Sequence, residues 1–207
     1  MPKESIKIGL VCDGTSDYGI QHAVDWLMAQ HFDNVPYRFL IAKQVIPARG
    51  PLGERLRKAV ELYLPDILIC HRDSEGGDFT VRNAEIEQAA NGLLTPVVKA
   101  VPVRMIESWL LLDAAAIRSA AMNRNGRMEL VLPRTRHVED IPDPKSLVLS
   151  LVSTASGFDG RRLQKFNSHR ARSRISSFIS DWSLLRDLPS FARFESELTN
   201  SVGRLVL

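Results

Sequence analysis

The feature that most constrains the fold is a series of short apolar runs, each closed by polar or Gly-rich residues and followed by a longer stretch at helical spacing. Residues 6–11 are apolar except for Lys7, with Gly9 inside the run, and they end at Cys12-Asp13-Gly14-Thr15-Ser16-Asp17. Such a run reads as a buried strand that turns into a helix. Ser16 or Asp17 can cap that helix, which continues through Ala23, Val24, Leu27 and Met28. The pattern then repeats: strand 39–46, loop 47–51, and an amphipathic helix over 52–64 with Leu56, Val60 and Leu64 on one face. Strand 67–70, helix 81–90, strand 97–101 and helix 105–121 complete the series. Strands alternating with helices of this length form right-handed crossovers and a parallel sheet. The expected class is therefore α/β, a mostly parallel sheet with helices on both faces, built by residues 1–121.

Beyond Ala121 the signal is weaker. Asn123-Arg124-Asn125-Gly126 reads as a turn, 129–132 as a short strand, and the segment with Pro133, Pro142 and Pro144 as a loop. A helical tail is expected from Lys145 onward, including 173–187. Residues 122–207 thus form a mainly helical C-terminal portion packed on the core.

Composition removes several classes. At 207 residues the chain can bury a sizeable core without metal or disulfide staples. No apolar run approaches the ~20 residues of a membrane span, and Met1-Pro2-Lys3-Glu4-Ser5 carries no signal-peptide pattern. Cys12 and Cys70, both at strand ends, read as reduced thiols rather than a disulfide framework. A cytoplasmic location without membrane association is the expectation. The net charge of +3 is uneven: residues 1–103 carry 11 Lys/Arg against 13 Asp/Glu, and residues 104–207 carry 16 against 11. An acidic front and a basic back suit a protein that binds metal with one half and phosphates with the other, although differences of this size also arise by chance.

In an open parallel sheet, ligands bind beyond the carboxyl ends of the strands. Asp13 follows the first strand there, and Asp73 and Glu75 follow the third. Alternate residues of an extended segment point the same way, so Asp73 and Glu75 can face one ion. Hard cations such as Mg²⁺ take oxygen ligands, often one or two carboxylates with water and substrate phosphate. Gly14 and the Gly76-Gly77 pair allow close approach of backbone or substrate. Read singly, each acid also serves as a helix cap.

Asp13-Gly14-Thr15-Ser16-Asp17 after one strand and Arg72-Asp73-Ser74-Glu75 after another resemble the Toprim (topoisomerase–primase) domain, which has Glu-Gly after its first strand and Asp-x-Asp after a later one. Within that family the chain resembles Toprim-like bacterial phage-defence proteins related to the nuclease half of the OLD (overcoming lysogenization defect) proteins. Small relatives of those also show segments like Ile106-Glu107-Ser108-Trp109-Leu110-Leu111-Leu112-Asp113, Pro144-Lys145 and Ser190-Phe191-Ala192-Arg193-Phe194. Two departures stand out: Asp13 replaces a Glu, and Glu75 replaces the second Asp. The resemblance implies Mg²⁺- or Mn²⁺-dependent phosphodiester hydrolysis in a defence or mobile-element setting. Asp73 and Glu75 would hold the metal, with Asp13 as ligand or acid/base and Glu107 as a direct or water-mediated ligand. With no Gly-rich lysine loop in the chain, an ATPase partner protein is also implied. The rival readings are an inactive Toprim-shaped binding or regulatory subunit, which the two departures favour, and a small-molecule phosphohydrolase.

Glu107 lies in the first turn of its helix, where it also complements the helix dipole. Trp109 reads as core because its neighbours are apolar. His71 reads as a hydrogen-bonded strand-end residue, and Arg72 as a phosphate contact or a partner of Glu75. Residues 160–174 hold Arg161, Arg162, Lys165, Arg170, Arg172 and Arg174 with no acid among them. That density suits nucleic-acid phosphates, with Phe166 and His169 placed to stack on bases. A solvated helix face is the alternative. A small-phosphate enzyme would have no need of this stretch.

Overall fold

The computed structural model describes residues 5–45, 49–76 and 78–206. The expectations for the first four residues, for strand residue Ile46, for loop residues Pro47 and Ala48, for Gly77 and for Leu207 lie outside the described residues. Four strands, β1 (Ile6–Val11), β2 (Tyr37–Ile41), β3 (Ile67–His71) and β4 (Val97–Ala100), form one sheet in the order β2-β1-β3-β4. All three pairings are parallel. The fold is α/β, as the alternation of runs requires.

Side chains alternate across the two central strands, and each set builds its own core. Ile6, Ile8 and Leu10 of β1 and Ile67 and Ile69 of β3 face α1 (Ile20–His31) through Ala23, Val24, Leu27 and Met28. Val11, Leu68 and Cys70 face the other way, against Leu56 and Ala59 of α2 (Leu52–Tyr63) and Ile86 of α3 (Phe79–Ala89). Gly9 lets that second side pack closely: a Cβ there would lie 3.0 Å from Leu68 Cδ1 and 3.1 Å from Pro65 Cβ, so these neighbours would have to give by a few tenths of an ångström.

The later helices are α4 (Ala114–Ala120), α5 (Pro144–Ser156), α6 (Gly160–Lys165), α7 (Ser168–Arg172) and α8 (Pro189–Val206). Those with buried apolar residues join the α1 face. In α8, Phe191, Phe194, Leu198 and Val202 recur at helical spacing and enter the same core as β1.

Four expected elements differ. The strand expected over 39–46 is β2, which ends at Ile41, and Lys43–Val45 forms a 3₁₀ segment. The helix expected over 105–121 is a 3₁₀ segment, Ile106–Leu110, followed by α4. Asp113 divides them, since its Oδ1 accepts the Ala116 N–H at 2.9 Å and caps a new helix. The strand expected over 129–132 does not form, and Arg118 ties this stretch down through the carbonyls of Gly126 and Met128. The helix expected over 173–187 is two 3₁₀ segments, Ile175–Phe178 and Ser183–Asp187. Between them the Asp181 carboxylate accepts both the N–H and the hydroxyl of Ser183, a local bond that competes with helix continuation.

Candidate functional site

The strand order reverses between β1 and β3: β1 continues to β2 on one side, and β3 to β4 on the other. A crevice at such a switch point is where open α/β sheets bind ligands. The loops after β1 and β3 therefore lie side by side at one edge, and the Val11–Cys70 register aligns them. Asp13 and Asp73 follow neighbouring parallel strands, as expected, but they have different partners.

Asp13 belongs to an ionic network. Its Oδ1 accepts from Arg55 Nη1 at 2.8 Å and its Oδ2 from Arg72 Nε at 3.2 Å. Arg55 is 5% exposed and also donates to the carbonyls of Cys12 (2.6 Å) and Val45 (3.3 Å), so it fixes the end of β1. Arg72 continues to Glu85, which Arg82 also holds. Arg72 thus pairs with Asp13 and Glu85 rather than with Glu75.

Asp73 meets a second acid, one that the sequence motif presents only as a helix cap. Asp17 is buried, and its carboxylate accepts the Gly14 N–H (3.0 Å) and the Ser16 hydroxyl (2.8 Å). Between the two acids stands His71, 1% exposed, with Nε2 3.4 Å from Asp73 Oδ1 and 3.9 Å from Asp17 Oδ2. The other ring nitrogen, Nδ1, donates to the Ala100 carbonyl at 2.9 Å. Asp73 Oδ1 also accepts the Ile106 N–H at 3.0 Å, which anchors the 3₁₀ segment carrying Glu107. A second acid four residues after Asp13 in the same loop is the sequence signal for Asp17.

Glu75 does not share a face with Asp73. The segment turns there, with Glu75 at φ 54° and Gly76 at φ 85°, and the Glu75 side chain is exposed. The Glu75 N–H donates to the Arg104 carbonyl, and the Arg104 N–H donates to Ser74 Oγ, so the two loops are laced together. Gly76 is favoured by its left-handed backbone; a Cβ there would also lie 2.7 Å from Arg104 Nη1, the end of a flexible side chain that could move aside. Arg104 carries no salt bridge among the described residues, and its guanidinium lies against Gly76 in the loop after β3, a phosphate-binding candidate that no sequence motif marks.

Glu107 is 3% exposed and paired with Arg172, the last residue of α7. Burial holds the Arg172 guanidinium below its ordinary pKa, and the charges of Asp17 and Asp73 oppose that. Arg172 is therefore turned inward, away from a surface role in the basic stretch. The rest of that stretch divides. Arg162 stacks on Phe158 at 4.7 Å and Arg174 on Phe178 at 5.4 Å, while Phe166 packs against Phe158. Arg161, Lys165, His169 and Arg170 are exposed and form no salt bridge among the described residues.

The metal set expected from sequence, Asp13, Asp73, Glu75 and Glu107, is not gathered as one cage. Among the described residues no three His, Cys, Asp or Glu side chains stand where they could hold one ion. Asp17 and Asp73 are brought together through His71, while Glu107 is paired separately with Arg172. Asp73 Oδ2 has no hydrogen-bond partner among the described residues. Because Mg²⁺ commonly takes only one or two carboxylates, Asp73 and Asp17 suit it by donor chemistry. The cysteines do not contribute: burial pushes the Cys70 thiol up to about 12, and burial with the Asp17 and Asp13 charges raises Cys12.

No family model, curated protein or solved structure matches the chain. Among the described residues no helix is long and apolar enough to cross a membrane.

The His71 environment has a measurable consequence. Burial lowers its pKa, but the hydrogen bond with Asp73, the charges of Asp17 and Asp73 and the Ala100 carbonyl outweigh it, leaving the value above the ordinary 6.5. A raised folded-state pKa adds stability that is complete below the unfolded value and lost as pH rises through the folded one. In EDTA, urea unfolding should therefore show stability falling above about pH 6.5 in the parent. The fall should flatten in His71→Gln. An equal slope in both proteins would place the titration elsewhere.

Proposed function

We propose that the chain is a divalent-metal-dependent nuclease, hydrolysing phosphodiesters at the edge where Asp17, His71 and Asp73 meet. The observation that carries this reading is the convergence of two carboxylates from the β1 and β3 loops across the switch point, with His71 between them. A cation bound there would neutralise charge developing on the phosphate and activate a water. Asp73 offers Oδ2 to that cation or water, while Oδ1 is anchored by Ile106 and His71. His71 is buried, so it does not touch substrate; it positions the two acids and offsets their mutual repulsion. Arg104 is the nearby cation for a phosphate oxygen, and Asp13 holds Arg55 and Arg72 in place. Action with an ATPase partner, in a phage-defence or mobile-element context, rests on the Toprim resemblance alone.

The specific observation for a second reading, an inactive Toprim-shaped subunit, is that both Asp13 oxygens are taken by arginines. The two readings separate in a cleavage assay on single- and double-stranded DNA and on RNA with Mg²⁺, Mn²⁺ or EDTA. Metal-dependent cleavage supports the nuclease. Tight binding without cleavage under either metal supports the subunit. No binding, with turnover of a small phosphate ester, sinks both.

Binding itself should depend on Arg161, Lys165 and Arg170. Removing one side chain that meets a phosphate should lower the log–log salt slope by roughly one. The triple alanine variant should weaken binding to all sequences alike, since phosphates carry no sequence information. Unchanged affinity and slope would leave the stretch as a solvated face.

A further inference from the structure

The two aspartates that break the expected helices also meet at a recess. Asp113, before α4, and Asp181, before the 3₁₀ segment Ser183–Asp187, both line a cavity of about 290 Å³. That is near the lower end of small-molecule sites, roughly 300–1,000 Å³. Leu112, Ile179 and the exposed Leu184 give it apolar walls, and the buried Trp109 and Trp182 also line it. No Lys, Arg or His is among the described residues that line it. Capping does not use up either acid. Asp113 Oδ1 accepts the Ala116 N–H, and Oδ2 has no hydrogen-bond partner among the described residues. Asp181 accepts one bond at each oxygen, both from Ser183, and each oxygen keeps a further lone pair. Those bonds hold the Asp181 carboxyl below its usual range, so it stays charged. Neither acid forms a salt bridge among the described residues. Arg186, whose charge reaches Asp181, is held by Glu195 through Nε and Nη2.

We propose that this recess binds a small primary ammonium with an apolar body, its charge toward Asp113 and Asp181 and its body against the apolar walls. Two carboxylates repel a phosphate, so the inference does not rest on the nuclease reading above. The choice of ammonium over guanidinium follows from the acceptors. A guanidinium fork seeks both oxygens of one carboxylate, and here each carboxylate already accepts a backbone N–H. An ammonium sends three donors in separate directions and can use single lone pairs. Its apolar body displaces water from the leucine and isoleucine walls. Trp109 and Trp182 line both this recess and the small cavity beside Glu107 and Arg172. Their indoles therefore report on ligand entry.

The test follows the tryptophan indole N–H signals by NMR as 3-methylbutylammonium is added. In the parent, the Trp109 and Trp182 signals should shift saturably, with an affinity of roughly millimolar, the scale for so small a ligand. Trp26, which does not line the recess, should hold its position. The neutral 3-methylbutanol should bind about fivefold more weakly or worse, since it lacks the charge. The double variant D113N/D181N keeps an oxygen for each capping N–H and should weaken ammonium binding about tenfold. L184K sets an ammonium of the chain's own at the recess. Because Leu184 is 54% exposed, that variant should keep its Tm and lose the shifts. Absence of a saturable shift in the parent overturns the proposal, as does equal binding of the alcohol. Undiminished ammonium binding by D113N/D181N or by L184K overturns it too, and L184K alone decides if the double variant does not fold. Binding of Nα-acetyl-lysine amide without binding of 3-methylbutylammonium would make the recess a dock for a partner's lysine and overturn the small-molecule site.

Discussion

Replacing Trp109 with alanine is expected to lower the unfolding free energy by about 3–5 kcal/mol. Trp109 is 1% exposed and sits on the 3₁₀ segment beside Glu107. It packs edge-on against Phe191 (5.1 Å) and stacks with Phe194 (5.9 Å), both on α8. Its Nε1 donates to Ser190 Oγ at 3.2 Å, and Ser190 in turn donates to Glu139. The substitution therefore removes the largest side chain between the site-bearing loop and the last helix, and it leaves the Ser190 hydroxyl short of a donor. For a chain of this size the loss corresponds to a Tm drop on the order of 10 °C. Trp109→Phe keeps most of the volume and should cost clearly less. A Tm change of only about one degree in the alanine variant would mean that this aromatic cluster is not a stabilising junction.

The sheet was legible because its signal is local. Residues 6–11 and 67–70 are apolar on every face that a doubly covered strand buries, and the intervening helices carry capping residues and stops such as Pro65. The burial of Trp109 follows from the same kind of signal, a large side chain among apolar neighbours. Periodicity failed where a short polar side chain outcompetes the helix. Asp113 restarts the helix expected over 105–121, and Asp181 interrupts the one expected over 173–187. Neither shows as a break in hydrophobic spacing.

The site was legible as an edge but not as a set of partners. Sequence order places Asp13 and Asp73 on adjacent strands, which the β1–β3 pairing bears out. It does not reveal that Arg55, 42 residues away, reaches back to Asp13. Nor does it reveal that Arg172 folds inward onto Glu107, 65 residues earlier. Both are tertiary ion pairs with no local signature. An extended Asp73-Ser74-Glu75 is ruled out because Glu75 and Gly76 take left-handed backbone angles. Gly76-Gly77 is a cue to that turn as much as to room for substrate, and the two meanings look alike in sequence.

The divergence of the two acids yields the sharpest expectation: Asp73→Asn should sharply lower metal-dependent cleavage while Asp13→Asn should leave metal binding in place. Asparagine at 73 keeps an Oδ1 to accept the Ile106 N–H, so the 3₁₀ segment stays anchored and the fold is retained. What it loses is the negative charge beside His71 and at the unpartnered Oδ2. If that charge acts on the metal or the developing phosphate charge, cleavage should fall by on the order of 10²–10³-fold, the range for losing one preorganised electrostatic interaction. The His71 pKa should fall as well, since the Asp73 hydrogen bond and charge both raise it. An NMR titration in EDTA reads that shift independently of activity. Asparagine at 13 acts elsewhere: it weakens the hold on Arg55 and Arg72, so it should lower Tm while leaving Mn²⁺ affinity within about twofold of the parent, because the charge removed is one already matched by arginine. If Asp13→Asn removes Mn²⁺ binding and Asp73→Asn does not, Asp13 is the ligand after all and the site is centred on the Arg55–Asp13–Arg72 network.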